Sequence, residues 1–330
     1  MKHHFGDFLD RDYWTVVSNR ERYAYAIGDV PAGSKEITIV TIGSDDENWE
    51  RIFTLPNLEE LTLYEPTKEQ LQSISKLTVL KRLRITHARP KDIDFISSLV
   101  NIEELVLEYV SGFSDLSPLQ SLTKLRSLHM ENLRRVKEFD GLAGIESLRY
   151  LRIDGTLDWK QPISDFNFLK GLPNLEVLSF GQIINKSSYP ALLPVLALEK
   201  LKKIKLTWNM LAAEEYALME VALPNVDGAD WGPFTRFSYS SIPLPRDDVR
   251  AHLPEDVIKS NHPEVSISYK GERLINDPKE EWFEFTGKKA GRAKCNNSKS
   301  KEKCDEYSKK YQLMKEEAHK VISSIKQLSG

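Results

Sequence analysis

Leu122-Thr123-Lys124-Leu125-Arg126-Ser127-Leu128-His129-Met130 sets apolar residues at steps of three, three and two. The same template recurs upstream as Leu55, Leu58, Leu61, Leu63, then Leu77, Leu80, Leu83, Ile85, then Leu99, Ile102, Leu105, Leu107. Downstream it reads Ile145, Leu148, Leu151, Ile153; Leu172, Leu175, Leu178, Phe180; Leu198, Leu201, Ile204, Leu206; and Leu223, Val226, Ala229, Trp231. The period is 22 or 23 residues in the first half and 25–27 in the second. A fixed period of this length denotes stacked supersecondary units, each too small to bury its own apolar face.

The spacing carries its own geometry. The last two apolar positions lie two apart, as a strand needs in order to send alternate side chains to one face. The wider step before them is where the chain turns into the strand. Between strands run short helical or extended pieces with their own stripes: Leu71, Ile74 and Leu77 follow Thr67-Lys68-Glu69-Gln70, a capping-box pattern. Ile163, Phe166, Leu169 and Leu172 repeat a three-residue step.

This pattern resembles the leucine-rich-repeat superfamily over about residues 37–232. Ser114-Asp115-Leu116-Ser117-Pro118-Leu119, followed by Leu122-Thr123-Lys124-Leu125, is similar to the short-repeat class found in internalins. The resemblance implies an α/β solenoid with a curved parallel sheet, a bacterial origin and a concave face that grips a macromolecule. One departure stands out. The family often carries Asn or Cys three residues after the second strand leucine. Here those positions are Pro66, Ala88, Val110, Leu133, Thr156, Ile183, Asn209 and Phe234, so irregular packing is expected on the convex side.

Outside the repeats, residues 1–54 are expected to cap the array's N-terminal end. Ile37-Thr38-Ile39-Val40 would start the sheet, and a helix from Ser44-Asp45-Asp46-Glu47 would turn Trp49, Ile52 and Phe53 inward. Trp14-Thr15-Val16-Val17 and Tyr23-Ala24-Tyr25-Ala26-Ile27 would close the end. Repeats occupy 55–232. Prolines punctuate 233–263, which reads as cap or linker. Residues 264–330 read as a β-β-α appendage, with strands at 265–269 and 282–286. Its helix carries the stripe Cys304, Tyr307, Tyr311, Met314, Ala318, Val321, Ile325, Leu328.

Composition narrows the function. The chain of 330 residues is 40% apolar and 29% charged, with a net charge of −3, too near neutral for nucleic acid or an anionic membrane to be the partner of the whole molecule. That figure hides twelve Lys or Arg against five Asp or Glu between Thr286 and Gly330. No apolar h-region follows Met1, no run suits a membrane span, and only Cys295 and Cys304 are present. A cytoplasmic location is the expectation.

Residues flanking the inward strand positions form three columns across the concave face, with neighbouring strands about 4.8 Å apart. Glu108, Glu131 and Asp154 would then stack as three carboxylates, with Arg84, His129 and Arg152 one column over. Like charges side by side on a sheet repel, and a cationic partner surface would relieve them. The expected partner-binding residues are Tyr64, Arg84, Glu108, His129, Glu131, Tyr150, Arg152, Asp154, Lys203 and Lys205. No catalytic, metal or cofactor motif is present. The reading is a non-catalytic protein-interaction module, of the kind a bacterial adaptor, inhibitor or immunity protein would use. Two alternatives are kept: a thiol-redox or other enzymatic function in the appendage through Cys295 and Cys304, and nucleic-acid contact through Lys288, Lys289 and Arg292 beside Trp282, Phe283 and Phe285.

Overall fold

The computed structural model describes residues 2–4, 23–207, 209–229, 231–268 and 270–329. They fall into two compact units: Met1–Met210 with Ala222–Ala229, and Leu211–Val221 with Asp230–Gly330.

The first unit is a leucine-rich-repeat solenoid. Its main sheet runs β1 (Lys2–His4), β2 (Tyr23–Ala26), β3 (Ile39–Gly43), β4 (Glu60–Tyr64), β5 (Arg82–Thr86), β6 (Glu104–Glu108), β7 (Ser127–Glu131), β8 (Tyr150–Asp154), then, past the short strand β9 (Gln161–Ile163), β10 (Val177–Gly181) and, past β11 (Ile183–Asn185), β12 (Lys203–Leu206). All pairs from β2 onward are parallel, whereas β1 and β2 are antiparallel. The registers set Leu61 against Leu83, Leu83 against Leu105, Leu105 against Leu128, Leu128 against Leu151 and Leu151 against Leu178. The strand leucines form continuous buried ladders, which is what the repeated template requires.

Opposite the sheet lie one-turn 3-10 pieces at 94–98, 117–121, 167–171 and 193–197. An Asp two residues ahead of the turn's backbone N–H accepts from it at Asp115–Ser117 and Asp165–Asn167 (2.8 and 2.7 Å). α1 (Lys68–Ser73) begins with the expected capping box: Thr67 Oγ1 accepts from the Gln70 amide, and Gln70 Oε1 accepts from the Thr67 amide. Gln70 is buried because its Nε2 also reaches back to the Gly43 carbonyl at 2.9 Å.

The structure differs from expectation in several places. The sheet does not start at Ile37–Val40: β1 and β2 precede it, and the strand there is β3, Ile39–Gly43, whose buried Val40 and Ile42 stand opposite Leu61 and Leu63. The Ser44–Glu47 helix start is absent; a 3-10 segment, Trp49–Thr54, buries Ile52 and leaves Phe53 exposed against Trp49. Trp14–Val17 lie outside the described residues. The eighth copy of the template makes one bridge, Asp227 beside Lys203, and no strand among the described residues. Gly228 explains the exit: at φ +80° it turns the chain away, and a Cβ there would sit 2.2 Å from the Ile204 carbonyl oxygen. The inter-rung polar bonds are displaced rather than lost. Asn57, Asn101 and Asn174, each just before a template leucine or isoleucine, donate to the carbonyls of Lys35, Thr78 and Glu146 one rung earlier.

Each central strand also ends in a left-handed corner. Glu65, His87, Tyr109 and Asn132 have φ between 48° and 56°. Their amides first extend the ladder by one bond, to the carbonyls of Thr86, Glu108, Glu131 and Asp154. Non-glycine residues pay steric energy in this region; Asn132 and His87 are of types enriched there, whereas Glu65 and Tyr109 are not.

The second unit has α2 (Ala213–Ala222, of which residues to 221 belong here), two three-stranded sheets and a long helix. β13 (Phe234–Ser238) and β14 (Ser241–Pro243) precede α3 (Glu255–Asn261); β15 (Ser266–Ile267), β16 (Arg273–Asn276), β17 (Glu281–Phe285), β18 (Arg292–Lys294) and α4 (Ser300–Ser329) follow. β13 pairs with β17, and β14 with β16, so the expected boundary near 264 falls within these sheets. The helix stripe is inward at Cys304, Tyr311 and Ala318. The Tyr311 hydroxyl lies 3.0 Å from both the Trp231 carbonyl and Glu220 Oε2, and Lys315 pairs with Glu220.

Truncating Leu128 or Leu151 to Ala is expected to cost about 2–5 kcal/mol, because neither site can collapse within a close-packed ladder. Urea unfolding of the two variants checks the register: full tolerance at both would contradict it.

Candidate functional site

The three columns read from the sequence are the columns of the sheet. Strand pairing aligns Glu60, Arg82, Glu104, Ser127, Tyr150, Val177 and Lys203; Thr62, Arg84, Val106, His129, Arg152, Ser179 and Lys205; and Tyr64, Thr86, Glu108, Glu131, Asp154 and Gly181. They behave differently from one another.

The first column is sealed. Glu60, Arg82, Glu104 and Ser127 are buried although they lie on the face away from the leucine core. Arg82 is completely inaccessible; its Nε donates to Glu104 Oε1 at 2.6 Å, and its Nη1 lies 3.7 Å from Glu60 Oε2. The alternation acid, base, acid explains how these charges tolerate removal from water. Further along, Tyr150 packs with Val106 and Val177 in a small apolar island. Lys203 lies 3.5 Å from Asp227, and Lys205 sits two rungs beyond Arg152.

The third column brings the carboxylates together around His129. Two guanidinium N–H groups of Arg84 donate to Glu108 Oε2 at 2.9 and 2.6 Å. Arg152 forms an ion pair with Asp154. Glu131, between them, is bonded by the Tyr109 hydroxyl, and its carboxyl is held above the usual carboxylate range, chiefly by burial and further by the charges of Glu108 and Asp154. The ring of His129 is buried, with Nδ1 3.9 Å from Glu108 Oε1 and Nε2 3.6 Å from Asp154 Oδ2 and 4.0 Å from Glu131 Oε2. Gly181 follows from the same cluster: a Cβ there would lie 2.1 Å from Asp154 Oδ1, so the acid leans over a rung that carries no side chain.

Stacked columns, one strand per 22–27-residue rung and 3-10 turns on the far side settle the architecture. The chain has a leucine-rich-repeat fold. No family model matches its sequence, and no curated protein sequence does either. Among solved structures it is similar to internalin C2 of Listeria monocytogenes, with 25% identity over 52% of this chain and 70% of the internalin (TM-score 0.37). It is similar to internalin F of the same organism, with 23% identity over 58% of this chain and 64% of that one (TM-score 0.36). A leucine-rich-repeat protein of Leptospira interrogans shows 15% identity over 55% and 64% of the two chains (TM-score 0.27). The chain thus spans less than two thirds of the last two.

Beside the carboxylates, the repeat protein has a feature that the residue pattern did not signal. The left-handed corners carry Tyr64's neighbour His87 and then Tyr109, whose rings stack at 4.7 Å and 4°; Tyr64 lies 5.7 Å from His87 on the other side. Tyr64 and Tyr109 are exposed. These corners border a cleft of about 880 Å³ that is rimmed by Arg89, Lys91, Arg134 and Arg135. Gly112 lines it at φ +122°, where a Cβ would strike the Pro90 carbonyl.

The appendage assigns other duties to its candidate residues. Phe285, Ala293 and Cys304 form a small core with Phe283 and Tyr307. Arg292 covers the rings of Trp282 and Tyr239, and Lys294 also lies over Trp282. Burial pushes both thiols up from the ordinary cysteine value, which disfavours the thiolate that redox chemistry needs. Among the described residues, no helix is long and apolar enough to cross a membrane.

Arg82→Ala is expected to destabilise the solenoid by about 3–5 kcal/mol, since it strands two buried carboxylates. Chemical denaturation at neutral pH measures it. A loss under about 1 kcal/mol would mean that water reaches this column.

Proposed function

We propose that this protein is a non-catalytic interaction module that holds a protein partner on its sheet face, in the manner of a bacterial adaptor, inhibitor or immunity protein. The observation that carries the reading is the juxtaposition at rungs β4 to β8. A carboxylate strip (Glu108, Glu131, Asp154) adjoins an exposed aromatic stack (Tyr64, His87, Tyr109) and a cleft with a basic rim. Rigid aromatic rings supply contact area at small entropic cost, and flanking patches of opposite sign fix orientation. Tyr109 occupies left-handed backbone that a bulky residue rarely adopts, and such an outlier supports a functional reading. The partner is a protein that offers a basic group to the strip and an acidic one to the rim. Tyr150, Lys203 and Lys205 extend the same face.

Affinity capture from the native host, followed by titration of the captured protein, tests this. Wild type is compared with the Glu108→Ser/Glu131→Ser/Asp154→Ser variant, with Tyr109→Ala, and with Lys288→Ala/Lys289→Ala/Arg292→Ala. The first two are expected to lose at least tenfold in affinity, about 1.4 kcal/mol, and the third to bind as wild type. Loss confined to the third variant would move the function to the appendage.

A further inference from the structure

We infer that Glu108, His129 and Glu131 form a binding site for a divalent transition-metal ion of the zinc class. The inference does not rest on the partner-binding reading. One ligand atom from each of the three residues lies within 4.8 Å of the others. Acidic residues clustered on a sheet would not alone make a site; the imidazole does. Its side chain is 3% exposed, yet neither ring nitrogen has a hydrogen-bond partner. A buried polar group left this way costs about 1–3 kcal/mol, and native structures rarely leave one without an explanation.

The surroundings point to the occupant. Nδ1 faces Glu108 Oε1 at 3.9 Å, and Nε2 faces Asp154 Oδ2 and Glu131 Oε2 at 3.6 and 4.0 Å; none of these is a hydrogen bond, and one ion takes only one of the two nitrogens. Metal–ligand bonds of about 2.0–2.2 Å bring such atoms to within reach of one another with small side-chain rotations. Arg84 and Arg152 answer the charges of Glu108 and Asp154, and Glu131 is the carboxylate left between them. With Nδ1 as the ligand, a small rotation would bring Nε2–H, now 3.6 Å from Asp154 Oδ2, within hydrogen-bond reach of that carboxylate, the arrangement that orients many metal-bound histidines. One imidazole with two carboxylates suits zinc, or cobalt in its place, better than calcium or magnesium, which take oxygen sets. Three protein ligands leave a position open, and the partly exposed side chain of Glu131 keeps it within reach of solvent.

Isothermal titration of the chelator-stripped full chain with zinc chloride, and visible absorption with cobalt chloride, test the site. One saturable equivalent is expected, with cobalt d–d bands and no competition from magnesium. His129→Gln and Glu131→Gln should each weaken zinc at least tenfold. Cys295→Ser/Cys304→Ser and His3→Ala/His4→Ala should leave it unchanged. Circular dichroism confirms folding, and the partly exposed Glu131 carries the test if the His129 variant does not fold. No saturable binding in wild type overturns the proposal. So does binding that survives both site variants, or that is lost with the cysteines or the terminal histidines. Because the titration uses the chain alone, a failure to capture any partner has no bearing on it.

Discussion

Each rung presents two strand residues, such as Leu105 and Leu107, that only the rungs on either side can cover, and the whole solenoid follows from that dependence. Burying them forces the strands into parallel register at ladder spacing, and the registers observed from β3 to β12 keep every rung in step. The period then has little freedom on the sheet side. Rungs that lengthen, as between Leu151 and Leu178, take up the extra residues elsewhere, and β9 and β11 pair there as a small second sheet.

The same register dictates the electrostatics of the opposite face. Equivalent positions on successive rungs stand side by side, so whatever charge a position carries is repeated or countered at once. In the first column acid and base alternate, and the charges can be sealed from water. In the third, three acids follow one another, and the guanidinium groups of Arg84 and Arg152 reach across from the middle column to two of them. The histidine sits where the remaining charge is concentrated. A linear array thus converts a local choice of side chain into a field that extends over several rungs.

The leucine ladders and the three columns were legible because both depend on strict spacing, and a two-residue alternation leaves no choice of face. The first strand was harder. Ile37, Ile39, Val40 and Ile42 all suit a strand, and only pairing with β4 selects Val40 and Ile42. The eighth rung copied the apolar template, but the backbone demand of Gly228 overrides it. The aromatic stack was not legible: Tyr109 is not a residue that announces a left-handed corner, and nothing in the sequence sets its ring face to face with that of His87. The inter-rung asparagines were present in the sequence, at Asn57, Asn101 and Asn174, but nine residues ahead of where the family usually carries its Asn. In the second unit, β13 meets β17 across more than forty residues, a pairing that no local pattern encodes.

The displaced asparagines have a direction. Asn57, Asn101 and Asn174 all donate backward along the chain, to carbonyls of the preceding rung, and the Ser147 hydroxyl does the same to Leu125. The corner amides run the other way, from Glu65 to the Thr86 carbonyl and from His87 to that of Glu108. An interior rung is thus tied to both neighbours by donors of opposite sense, so excising one would strand donors on one side and acceptors on the other.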